Sequence, residues 1–541
     1  MSLIKLSFKN FINSQNKIVI FLLLTSFIFD LLTIFSPGWG KLGILTWLMM
    51  FIVIFKTSLE WLKDLIKGSF KHKTFFTLLS LAIFCLLIFY HASNRHSLSG
   101  ETAMEINCFL NHLRNAEDAG FHQTCLFEYP AKQFLIPSLP SLVFGRDLFA
   151  LNIGGSIYLL LGVFMLATAL FSMEKDTKKT DILAGISVIC LLHFYYFNFI
   201  AFTQFEQSIF PLSFGLGLVG LYLKFEKVRN PKYLLIAGIV LQFLIYSYTT
   251  SLALIGLAVV YLIWELASSK NNQKLKKYLA FIIITTIVGL IISFNIRGDV
   301  KLTSDNRTIS DYWPIAKETA EILLFRDTVS PWTSPLLYVL MVFSILKLLT
   351  KPNIKKISVI LWITATTLAS TFMVGYASPP AHFALYRFLI AVPVLITMIY
   401  FFLANLKLET KFLIMIYFFV LATGLNYHLQ YFRGIEASSR IPFFKWLATK
   451  VDIKKKAEID LSSIDHNDFL SMNDTMQYFL PNLEQEQLIT DPNSCSIESR
   501  GLYVFPDNHW CQSRIMSNSK VQFLGKYQYQ PALTINLFQV K

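Results

Sequence analysis

Charge is what this chain lacks. Only 15% of its 541 residues are Asp, Glu, Lys or Arg, against 54% hydrophobic ones, and mean hydropathy is +0.52. Soluble domains carry about 25% charged residues, so a chain lying wholly in water is excluded. Cysteine is scarce: there are 6, with no Cys-x-x-Cys, and the 10 histidines form no cluster. Neither a metal nor a cofactor is therefore expected. Ionisable groups are rare within the apolar runs, with Asp30, His193 and Arg387 inside and Glu206 near one end. A proton pump needs a chain of carboxylates through the bilayer, which sets that class aside. No repeat recurs at a fixed period, which counts against a transporter built from inverted repeats. The apolar runs are continuous rather than alternating, so a transmembrane β-barrel is excluded too. No small-residue cleavage site follows the first run, so a cleaved signal peptide is not expected.

What the chain has is long apolar runs. A helix needs about 20 residues to cross a hydrocarbon core. About thirteen spans are read, near 17–36, 40–56, 74–91, 148–172, 181–202, 208–224, 233–247, 251–267, 278–296, 335–350, 356–377, 384–405 and 410–429. Of these, 40–56 is short, and 233–267 allows a single broken pair. The net charge of +14 sits in connections that all fall on one side: the amino terminus, 56–73, 173–180, 224–232, 269–277, 347–356 and 407–411. That side is cytoplasmic by the positive-inside rule. Parity places the amino terminus inside and the carboxyl terminus outside. The basic balance thus reports topology, and no nucleic-acid partner is expected. The expectation is a multi-pass plasma (inner) membrane protein.

Three parts follow: 1–73, an amino-terminal hairpin with an amphipathic basic segment (57–73) on the cytoplasmic membrane surface; 74–432, a membrane core; and 433–541, an extracytoplasmic domain. In the last, 441–450 reads as a helix, while Leu502–Phe505 and Ala532–Val540 read as strands of a small α+β unit. The core carries two outward loops, 91–147 and 297–334, the second with a short helix expected over 315–325. The first loop, about 55 residues long, holds Glu101, Glu105, Glu117, Asp118 and Glu128. A loop of that length in a compact core is usually functional. Cys108 and Cys125 in this loop and Cys495 and Cys511 in the tail are disulfide candidates at an oxidising face. Cys85 and Cys190 lie in spans as inert buried groups.

Candidate chemistry gathers in these loops. Glu101 and Glu105 lie one turn apart before a helix read over 104–115. A carboxylate there can act as general base towards an acceptor hydroxyl or amine; the bland alternative is that both favour a helix amino terminus. Lys132 can bind a lipid phosphate as a point charge, with Tyr129 donating a hydrogen bond, or can be a snorkelling interfacial lysine. Arg387, at the start of a span, is costly unless paired, either with a phosphate or with a loop carboxylate such as Asp311.

In order, Gly100-Glu101, Tyr129-Pro-Ala-Lys132, Phe144-Gly145 through Gly154, Ala237-Gly238 through Tyr246-Ser-Tyr248, Tyr386-Arg387 through Pro393 and His428-Leu-Gln-Tyr431-Phe432 resemble a known series. It is that of the GT-C fold polyprenyl-phosphate-sugar-dependent glycosyltransferases, of the bacterial protein-mannosyltransferase and aminoarabinose-transferase type. The resemblance runs from about residue 74 to 432. The chain departs from it at Gly100, where the family has Asp, and at Gln133, where it has Pro; the spans over 17–56 are additional. The resemblance implies inverting, metal-independent transfer of a sugar from a polyprenyl-phosphate carrier to an external glycan, lipid or protein acceptor. It makes Glu101 the base or acceptor-orienting acid, with Glu105 and Glu206 as further acids. It also makes Lys132 and Arg387 the groups that bind the lipid phosphate, helped by Tyr129 and His382. The alternative, motivated by Gly100, is a non-catalytic transporter or flippase of lipid-linked glycans, or an inactive relative.

Overall fold

The computed structural model describes residues 2–35, 40–69, 74–94, 124–125, 129–145, 148–173, 177–198, 201, 209–247, 251–269, 272–296, 314, 333–350, 389–406, 408–433, 446, 449–450, 459–460, 502–506, 516–517, 519–530 and 533–540. The helices are α1 (Ser2–Phe35), α2 (Gly40–Ser69), α3 (Phe75–Asn94), α4 (Leu135–Phe144), α5 (Leu148–Phe171), α6 (Thr177–Ile189), α7 (Ile209–Val228), α8 (Pro231–Ile245), α9 (Ser251–Ser268), α10 (Gln273–Ile296), α11 (Pro335–Leu349), α12 (Val392–Asn405) and α13 (Thr410–Arg433). Helix α6 runs on through a 3-10 turn, Cys190–His193, into a single turn, Tyr195–Asn198.

Every expected span except 356–377 coincides with one of these helices; that segment lies outside the described residues. By length and apolarity, seven described helices can cross a membrane, and α8, α11 and α12 are shorter apolar helices. Large apolar side chains such as Phe21, Leu86, Ile284 and Met415 point outwards. So many exposed large apolar side chains suit lipid rather than water. One boundary changes. Residues 57–69, read as a separate surface segment, continue α2 unbroken, because Trp61 and Leu65 bury against the bundle. The stretch 233–267 is two helices, with Pro231 starting α8 behind an Asn230 side chain that accepts from Lys232 N at 3.0 Å. Asn-Pro is a strong helix start, since proline needs no partner at the first position.

Glycines set the centre of the bundle. A Cβ on Gly154 of α5 would fall on the carbonyl oxygen of Pro137 in α4. One on Gly162 would fall on the carbonyl of Ser213 in α7, and one on Gly220 of α7 would lie 2.8 Å from the backbone of Met165. Helix α5 thus touches α4 and α7 backbone to backbone, as lipid-embedded helices do where small residues permit it. Helix α4 is the proline-containing element after Lys132. Leu135, Ile136, Pro137, Ser138, Pro140 and Ser141 are buried on α5, and it ends at Gly145, whose φ of 86° suits glycine.

Polar caps join the other helices. The Asp181 carboxylate of α6 accepts from Phe76 N and Thr77 N, each at 2.9 Å. It thereby serves two orphan donors at the start of α3 and puts negative charge at the helix's positive end. The carboxyl-terminal strands β3 (Ile459–Asp460), β4 (Leu502–Pro506), β5 (Val521–Gln530) and β6 (Leu533–Val540) form one sheet, ordered β3-β4-β6-β5. β4 and β6 fall where expected; β5 was not anticipated. Its run Val521-Gln-Phe-Leu-Gly-Lys-Tyr-Gln-Tyr-Gln is half polar and broken in register at Gly525, where Trp446 packs 3.3 Å from the position of a Cβ. Of 441–450, the described Trp446, Thr449 and Lys450 are helical.

Replacing Gly154 by Ala should force α4 off α5 and cost about 1–3 kcal/mol, as overpacking does. Gly256→Ala in α9, where a Cβ meets nothing within 4 Å, should melt no lower than the unaltered protein. Thermal unfolding of both variants in detergent checks the pair.

Candidate functional site

The turn that carries Lys132, helix α7 and the start of α12 are linked by packing. β1 (Thr124–Cys125) and β2 (Tyr129–Pro130) pair antiparallel, with Cys125 opposite Tyr129. The chain then enters a 3-10 turn, Ala131–Phe134, that carries Lys132 and leads into α4. The Phe134 ring meets Phe210 edge-on at 5.7 Å, which sets this turn beside the first turn of α7. Further along α7, Gly215 lies against Pro393 at the start of α12, 3.3 Å from a Cβ position. In sequence, Glu206 directly precedes α7, and His382 and Arg387 precede α12. The backbones of Tyr129, Lys132 and Cys125 are described; Glu101, Glu105, Glu206, His382, Arg387, Cys108, Cys495 and Cys511 lie outside the described residues, as do 104–115 and 315–325.

There is also a buried polar chain that sequence reasoning missed. His91 Nε2 of α3 lies 2.9 Å from His428 Nε2 of α13, and His428 Nδ1 lies 2.8 Å from Asn198 Oδ1. Asn198 Nδ2 donates to Leu192 O at 2.7 Å and to Phe194 O at 3.0 Å, so its oxygen is the end that faces His428. An amide oxygen only accepts; His428 must therefore carry its proton on Nδ1, and His91 donates from Nε2. Each histidine alone looks like a lone polar residue near a span end. The pairing joins residues far apart in the chain, and no local pattern announces it.

Two of the ionisable residues noted within apolar runs have structural partners. His193 Nδ1 lies 2.6 Å from Ser334 Oγ and its Nε2 2.9 Å from Val420 O. The carbonyl requires a proton on Nε2, and the imidazole ties the turn after α6 to α11 and α13. Gly424 leaves it room. Asp30 accepts from Tyr246 Oη at 2.6 Å. Basic connections have partners too: Arg229 pairs with Glu226 at 2.8 Å and Glu265 at 3.1 Å, and Lys227 Nζ donates to Met173 O at 2.7 Å. An apolar cavity lined by Phe51, Tyr158, Met165 and Phe214 offers no carboxylate or cation among its walls. No group of three metal-ligating side chains occurs among the described residues.

The fold as a whole finds its counterpart in solved structures. The crystal structure of ArnT from Cupriavidus metallidurans in the apo state aligns with 85% of this chain and 97% of its own, at TM-score 0.56 and 11% identity. The fold is GT-C. The crystal structure of ArnT from the same organism bound to undecaprenyl phosphate aligns over the same shares, at TM-score 0.53 and 11% identity. No protein-family profile and no curated protein sequence matches the chain. At this identity the likeness concerns the fold, and this GT-C chain is a helical membrane protein with a small strand-bearing carboxyl-terminal part.

His91→Ala or His428→Ala alone should each cost about 1–3 kcal/mol, because each leaves a buried partner unsatisfied. The double replacement by leucine should cost clearly less than the sum of the single leucine variants. A double-mutant cycle by thermal unfolding measures this, and strict additivity would contradict the pairing.

Proposed function

We propose that this chain is a glycosyltransferase that moves a sugar from a polyprenyl-phosphate carrier to an extracytoplasmic glycan, lipid or protein acceptor, with inversion and without a catalytic metal. The observation that carries the reading is the GT-C fold shared over most of the chain with ArnT, one of whose crystal structures holds undecaprenyl phosphate. Support also comes from the packing of the Lys132 turn on the first turn of α7 and of the start of α12 on Gly215 of the same helix. In this reading Glu101 takes the proton of the acceptor hydroxyl or amine as that atom attacks the anomeric carbon. Glu105 and Glu206 are further acids of the same cavity. The bond to the carrier phosphate breaks on the opposite face, and the departing phosphate gains negative charge. Lys132 and Arg387 offset that charge, with Tyr129 and His382 as hydrogen-bonding helpers. Fixed cations at a developing anion are among the strongest catalytic devices available.

The reading includes the three-part division at residues 73 and 432 and disulfides within Cys108/Cys125 and Cys495/Cys511. It also includes a plasma (inner) membrane setting with the amino terminus cytoplasmic. Helices α3 and α13 support the topology. Ser80 Oγ meets Tyr417 Oη at 3.0 Å and His91 meets His428, so the two helices run parallel. Parallel courses need an odd number of crossings between them. Helices α5 to α12, with α6 and its turns as one crossing, supply an even number, and the expected span 356–377 makes it odd. Gly100, standing where the family has Asp, favours the second reading, a non-catalytic handler of lipid-linked glycans.

Glu101→Gln should lower glycan transfer in membranes by about 10²-fold or more, the usual worth of a general base, and Lys132→Ala should lower it comparably. Transfer at the unaltered rate by both variants would remove these roles. An unaltered protein that carries lipid-linked glycan across vesicles without transferring it would establish the second reading.

A further inference from the structure

Gln133, directly after Lys132, has an unusual environment. Its side chain is 2% exposed, and among the described residues neither its carboxamide oxygen nor its nitrogen has a hydrogen-bond partner. Serine and threonine side chains in nearby helices return their hydroxyls to their own helix, as Ser138 does to Phe134 O at 2.6 Å; the Gln133 carboxamide makes no such bond. A buried amide with both ends unmade is expensive, and natural proteins seldom keep one without a use. Gln133 also sits on the turn that Phe134 holds against α7, beside the candidate phosphate-binding lysine.

We propose that Gln133 reads the hydroxyl groups of the donor's sugar. The chemistry of the unpaired amide selects the ligand. A carboxamide offers one acceptor and one donor group side by side, so its partner must both donate and accept. An ionised phosphate only accepts and leaves the amide oxygen unmade. Neighbouring sugar hydroxyls do both. A water-excluded group of this kind discriminates strongly, because a ligand without the hydroxyls leaves it unpaired. Lys132 then holds the phosphate common to all such carriers, and Gln133 distinguishes a glycosylated carrier from a spent one. This rests on the glycosyltransferase reading above.

The test uses the full chain in lipid nanodiscs, with undecaprenyl phosphate and undecaprenyl phosphate bearing a single glucose as probes. The unaltered protein should bind the glucosylated lipid about tenfold or more tightly than the bare one. Gln133→Leu should abolish that preference while keeping the affinity for the bare lipid, and Lys132→Ala should weaken both lipids together. Without lipid, Gln133→Leu should melt no lower than the unaltered protein, because an unpaired amide contributes nothing to the fold. A clear fall in melting temperature would show that the amide is paired, and would overturn the proposal. Equal binding of the two lipids by the unaltered protein, or a preference that survives Gln133→Leu, would overturn it and leave the glycosyltransferase reading standing. Failure of the unaltered protein to bind either lipid would strike that reading itself, and this proposal with it.

Discussion

Backbone contact along α5 is the constraint on which the rest of the structure depends. Hydrocarbon gives helices no hydrophobic reason to associate, since lipid tails are as apolar as leucine. Close approach must supply the attraction through dispersion, and close approach requires missing side chains. Gly154 and Gly162 provide it on two levels of one helix, to α4 and to α7. Because α4 is the continuation of the Lys132 turn, the same contact fixes where that lysine's backbone enters the membrane core. Phe134 against Phe210 then ties the turn to α7. A packing requirement and the placement of candidate chemistry are in this way one feature.

Polar groups inside the bundle divide into two kinds. Asp181, His193 and the His91–His428–Asn198 chain have their hydrogen-bonding capacity met by named partners. In a low-dielectric interior such satisfied networks specify one arrangement of helices, because any slip leaves a group unpaired. Gln133 is of the other kind, unmet at both ends among the described residues. The partnered groups hold the fold, whereas the Gln133 amide is the one we assign to a ligand.

Much of the architecture was legible from the chain. Continuous apolar runs with basic connections give helices and their ends. What could not be read is long-range pairing. Trp61 and Leu65 look amphipathic and surface-bound until their burial against the bundle is seen, so α2 came out longer than expected. β5 was hidden because alternating polar residues and Gly525 weaken its strand pattern. The two histidines of the buried chain carry no local signal of each other. Gln133 was visible only as the residue standing where the family has proline, and its burial is a property of the folded chain. Tyr129 and Lys132 were singled out by type and order, and the structure describes their backbones in β2 and in the 3-10 turn that leads into α4.

The central claim is that a polyprenyl phosphate docks where the Lys132 turn, α7 and α12 meet. Photo-crosslinking of the purified full-length protein with a diazirine-bearing polyprenyl phosphate, followed by peptide mapping, tests it most directly. The account predicts label on peptides covering 129–145 and the first turns of α7, competed away by unlabelled undecaprenyl phosphate. Label confined to the lipid-facing surfaces of α1, α10 and α13, and indifferent to competitor, would contradict it.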